Sequence, residues 1–171
     1  MNSHSKCCDD YEPCYESHKK EQKSNTPVIV KCGSTGSVTI PLATVAGTTF
    51  NLSSLTMNTT GICNPCTKIE VTNNIIATAF TGSISFQVYK QCRNQFAPIP
   101  IGPAFTFSEA VAITASSTFT FFVCDCDSCD NECCVYTLVA TVTTLTVGVL
   151  SINNSTLSGI AAGQINCNCC G

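Results

Sequence analysis

At 171 residues the chain is long enough for one domain with a real core and short tails. Only 11% of its residues are charged against 44% hydrophobic, and the formal net charge is −3. Just four basic residues lie beyond position 26 (Lys31, Lys68, Lys90 and Arg93), which leaves no electrostatic footprint for a nucleic acid partner. No membrane partner is expected either. The uncharged, apolar run from Cys133 to Val149 is rich in Thr and shorter than the roughly 20 apolar residues of a spanning helix.

Three zones follow in chain order. Residues 1–26 hold nine of the nineteen charges and three cysteines, with no hydrophobic period, and predict a flexible connector arm closed by Pro27. Nothing in Met1–Asp10 has the apolar segment of a secretory signal. Residues 27–165 are dominated by Thr, Val, Ile, Phe and Ser, which suit pleated, half-buried surfaces. Residues 166–171 form a second cysteine-rich end.

The apolar period of the middle zone is two. Val38, Ile40 and Leu42 alternate with polar or turn residues, as do Ile84, Phe86 and Val88, and again Phe119, Phe121 and Val123. Further strands are expected at 28–32, 48–52, 67–72, 75–80, 105–115 and 135–149, the last bending or dividing near Gly148. Turns are expected at 33–36, 46–47, 61–65, 73–74 and 153–154. Pro98, Pro100 and Pro103 lack the amide donor a central strand needs, so that stretch is a loop or an edge. Eight to ten short strands without helical periodicity predict an all-β fold, a jelly-roll-like two-sheet sandwich.

Fifteen cysteines are far above ordinary usage, and their odd number requires at least one to pair outside the chain, bind something or stay free. Eleven lie in three segments. Cys7, Cys8 and Cys14 are on the arm, Cys167, Cys169 and Cys170 at the other end, and Cys124, Cys126, Cys129, Cys133 and Cys134 in an acidic stretch. Carboxylates beside those thiols disfavour the thiolate, so an activated nucleophile is not expected there. Disulfides rank first for this stretch, with a soft-metal thiolate site as the rival. Cys63-Asn64-Pro65-Cys66 has the spacing of a redox motif, but it sits among strand patterns with no helix after it. A turn disulfide, or pairing elsewhere, is the better reading.

Catalysis has little to work with. The only histidines, His4 and His18, lie on the arm, and Glu70 and Glu109 are isolated carboxylates. No enzyme activity and no cofactor are expected. Cysteines on arms stabilise a monomer poorly but serve well as staples between subunits. An arm of twenty-odd extended residues reaches roughly 60–75 Å.

The paired Cys7-Cys8 on a short N-terminal connector, the Thr/Val/Ile-rich domain of about eight strands and the scarcity of charge resemble the endospore appendage (Ena) subunits of Bacillus. The resemblance implies a jelly-roll subunit that packs edge to edge in a ring or helical fibre on the spore surface, made in the mother cell without a signal peptide. It implies that the connector forms disulfides with strand cysteines of neighbouring subunits. By position Cys7, Cys8 and Cys14 would be donors, with Cys32 and Cys134 as acceptors. The partners would be further copies of this chain and related appendage or exosporium subunits. The acidic Cys124–Cys134 stretch and the Cys-Asn-Cys-Cys-Gly ending depart from the main fibre subunits and suit a minor, ring-forming or anchoring member. A cysteine-rich coat or exosporium layer protein is the alternative within the same chemistry.

Overall fold

The computed structural model describes residues 27–93, 95–126 and 133–164, so residues 1–26, 127–132 and the C-terminal cysteines fall outside it. Within the described residues the chain forms eight strands: β1 (Val28–Cys32), β2 (Gly36–Ile40), β3 (Thr49–Asn58), β4 (Cys63–Cys92), β5 (Ile99–Ala110), β6 (Thr114–Asp125), β7 (Cys133–Val142) and β8 (Val147–Gln164).

The strands compose four long antiparallel passes: β1 to β3, then β4, then β5 and β6, then β7 and β8. The first pass lies along the fourth, from Val28↔Ala162 and Ile40↔Leu150 to Asn58↔Cys133. β4 lies between the fourth pass, from Cys63↔Gln164 to Cys92↔Cys134, and the third, from Thr67↔Asp125 to Lys90↔Ile99. Each pass bends or breaks near its middle, so the ribbon doubles over into two layers. The first layer is β1/β2–β8–β4–β6, using the leading half of β4, and the second is β3–β7–β4–β5, using its trailing half. This is jelly-roll topology, as expected.

The fold in β4 comes from one extra residue. Thr78 faces Val149 and Thr81 faces Val147, so three steps on β4 oppose two on β8, and Ala79 takes φ 45°. A bulge of one residue inverts which side chains face inward. Accordingly, Ile69, Val71, Ile75 and Ala77 are buried before it, and Phe80, Ile84, Phe86 and Val88 after it. Gly148 completes the bend at φ 77°, where an added Cβ would run into the Ala79 carbonyl.

A second bulge explains why two expected turns are absent. Asn73–Asn74 and Asn153–Asn154 lie inside continuous strands. Thr72↔Thr156 is followed by Asn74↔Asn153, and Asn154 absorbs the extra residue at φ 50°. Pro100 and Pro103 do lie in a strand, β5, but among the described residues its only partner is β4, so it is an edge that tolerates missing donors.

The core fills the space between layers. On the β5/β6 side it is closed by rings: Phe105 stacks on Phe121 at 4.2 Å, and Phe119 meets Phe86 at 5.1 Å and Phe107 at 5.8 Å. On the opposite side Ser34 N donates to Ser54 O at 2.9 Å, drawing β2 and β3 together. Burying each large apolar side chain here contributes about 1.5–3 kcal/mol.

Doubling the ribbon has a consequence for the cysteines. The ends of all four passes return to one pole. There Asn58 meets Cys133, Cys63 meets Gln164, Cys92 meets Cys134 and Thr67 meets Asp125. The described chain breaks off at this pole after Cys126 and Gln164, and Pro27 precedes β1 there.

Candidate cross-linking surface

Among the described residues two disulfides fasten this pole. Cys66–Cys126 ties the start of β4 to the end of β6 within the first layer. Cys92–Cys134 joins directly opposed residues of β4 and β7 within the second. Cys66 of the Cys-x-x-Cys segment thus pairs elsewhere.

One expectation about roles is corrected. Cys134 was expected as an acceptor for another subunit's cysteine, but it is 7% exposed and already bonded to Cys92. Alternation decides this. Cys134 shares the inward side of β7 with Tyr136, Leu138 and Ala140, all buried. Its neighbour Cys133 points the other way and is a free, exposed thiol. Cys133 helps line a cleft of about 480 Å³ with Gln91, Cys92, Arg93, Gln95 and Val135.

Cys32 and Cys124 are also free and exposed. Both lie on the outer face of the first layer, where register arranges the side chains in rows across the sheet. One row runs Val30, Ile160, Lys68, Cys124, and the next Cys32, Ser158, Glu70, Phe122. Cys32 and Cys124 are three strands and two residues apart, roughly 16 Å at ordinary sheet spacings. A disulfide needs Cα atoms within about 7 Å, so these two thiols cannot bond to each other.

The surroundings of the two thiols are unusual for an outer face. Val28, Val30, Ile160 and Phe122 are all exposed there, Phe122 at 58%. Charge is limited to Lys68 and Glu70, 3.8 Å apart, with Lys68 Nζ also 4.9 Å above the Phe122 ring. Both contacts are open to water and contribute little.

Beneath the pole lies a buried polar triad that sequence reading missed. Lys90 Nζ is 2.7 Å from Asp125 Oδ2. The Tyr136 hydroxyl donates to that same oxygen, also at 2.7 Å. Burial and the adjacent Asp125 carboxylate push the Tyr136 hydroxyl well above the usual phenol range, so it stays protonated and remains a donor. Lys90 and Tyr136 are opposed on β4 and β7, while Asp125 reaches across from the first layer.

Of the other residues singled out, Cys126 is accounted for by its bond to Cys66. Cys7, Cys8, Cys14, Cys129, Cys167, Cys169 and Cys170 lie outside the described residues. Among the described residues no group of three His, Cys, Asp or Glu side chains is placed to hold a metal ion.

Comparison with known proteins places the chain in a family. Residues 26–162 match the model of a domain of unknown function, DUF4489, and the chain belongs to that family. No curated protein matches. Among solved structures, the chain is similar to that of the infectious bursal disease virus Gx strain, with 8% identity, a TM-score of 0.42, and coverage of 82% of this chain and 38% of that one. The VP2 subviral particle of infectious bursal disease virus gives 10% identity, a TM-score of 0.38, and coverage of 83% and 38%. The chain therefore spans well under half the length of these viral chains, and similarity at that level carries no functional argument.

Proposed function

We propose that this chain is a non-enzymatic structural subunit that assembles with copies of itself and is locked by interchain disulfides. One observation carries the reading. The described disulfides fasten the fold from within, while Cys32, Cys124 and Cys133 remain as exposed thiols on its outer faces. Two of them sit in an apolar, charge-poor surface of the kind that associates. Cys7, Cys8 and Cys14 on the arm are the natural donors for these acceptors, with Cys133 taking the place first expected for Cys134.

The edges of β5 and β6 that no described strand covers suit addition of a neighbour's strand, which would extend the sheets from subunit to subunit. The resemblance to endospore appendage subunits supports a spore-surface role, as a minor, ring-forming or anchoring member of a fibre. The test combines denaturing gels with micrographs. A ladder of multimers that collapses only with reductant, together with rings or fibres, is the expected result. Flat sheets would point to a coat or exosporium layer. A protein that stays monomeric under oxidising conditions would refute the proposal.

A further inference from the structure

The Lys90–Asp125–Tyr136 triad has no part in the cross-linking surface. The Lys90 and Asp125 side chains are 8% and 6% exposed. Desolvating such a pair costs about as much as its attraction returns, and apolar side chains of similar volume would stabilise the site as well or better. Its position is also distinctive. Both described disulfides stay within a layer, whereas Lys90 and Asp125 meet across the two layers at the pole farthest from the bend in β4.

We propose that Lys90 and Asp125 condense to an intramolecular isopeptide bond, with Tyr136 holding the carboxyl oxygen that becomes the amide carbonyl. The pair already holds an amine against a carboxyl group, with Nζ 2.7 Å from Oδ2, the carboxyl oxygen bonded to the carbon that would be attacked, and such proximity makes intramolecular reactions fast. The Lys90 ammonium loses a proton that ends on Asp125 Oδ1, the oxygen not held by Tyr136, leaving a neutral amine and a carboxylic acid. The Nζ lone pair attacks Cγ, forming the Nζ–Cγ bond and placing negative charge on Oδ2. The Tyr136 hydroxyl donates to that oxygen and stabilises it without giving up its proton. The Cγ–Oδ1 bond then breaks, and the departing hydroxyl takes the surplus proton from nitrogen and leaves as water. Lysine ammonium plus carboxylate thus becomes amide plus water, with no oxidant or co-reactant. The product ties the two layers covalently where no described disulfide does.

The test is the intact mass of the full chain after folding, prolonged incubation, complete reduction and alkylation. The wild type is expected to be lighter than its sequence mass by one water, with a fragment joining the Lys90 and Asp125 peptides. Lys90→Arg should keep the full mass, and Tyr136→Phe should form the bond about 100-fold more slowly. Full sequence mass in the folded wild type leaves an ordinary ion pair and overturns the proposal. Loss of water that persists in Lys90→Arg assigns the dehydration elsewhere and overturns it equally.

Discussion

Adjacent cysteines with opposite roles give a sharp prediction. Replacing Cys134 by serine removes the bond to Cys92, whose partners are separated by 42 residues. Closing a loop of that size removes about 4 kcal/mol of unfolded-chain entropy. The interlaced Cys66–Cys126 bond offers a shorter path of roughly 35 residues, which lowers the figure by only a few tenths. The variant also leaves a thiol and a hydroxyl in a site 7% exposed. Replacing Cys133 by serine touches an exposed thiol outside any described bond and should change stability by less than about 0.5 kcal/mol. Urea unfolding of dilute, unassembled protein measures both. With a slope near 2 kcal/mol per molar, Cys134→Ser should lower the midpoint by about 2 M. Cys133→Ser should leave the midpoint alone while weakening covalent assembly. Equal shifts in the two variants would refute the assignment of inward and outward sulfurs.

Gly148→Ala places a Cβ against the Ala79 carbonyl at φ 77° and should destabilise by more than about 2 kcal/mol, read as a clear fall in Tm. Phe86→Ala empties a fully buried site beside Phe119 and should cost about 3–5 kcal/mol in chemical unfolding. Tyr136 gives a pH signature. Its hydroxyl is held above the unfolded value near 10, so the folded state keeps a proton that the unfolded chain releases. Its contribution is fully present below pH 10 and is lost as pH rises further. Stability should therefore fall above pH 10 in the wild type, and Tyr136→Phe should flatten that slope in unfolding curves taken across the alkaline range.

The parts of this fold legible in sequence are those governed by local alternation. Ile84–Val88 and Phe119–Val123 read as half-buried strands because each packs one face on the core. Pro100 and Pro103 marked an edge because missing donors are tolerated only there. The asparagine pairs at 73–74 and 153–154 misled, because turn-forming residues also serve at bulges inside long strands. The orientation of Cys134 was within reach, since it continues the inward series Tyr136, Leu138, Ala140. The pairings Cys66–Cys126 and Cys92–Cys134, and the meeting of Lys90 with Asp125, depend on how the long passes double over. No local pattern encodes that.

The central claim is that the exposed cysteines link different chains. Isotopically light and heavy protein, mixed under reducing conditions, assembled under oxidising ones and mapped by mass spectrometry of disulfide-linked peptides, tests it directly. The account predicts light–heavy pairs at Cys32, Cys124 and Cys133, and pairs of uniform isotope at Cys66–Cys126 and Cys92–Cys134. Uniform pairs at every cysteine would contradict it.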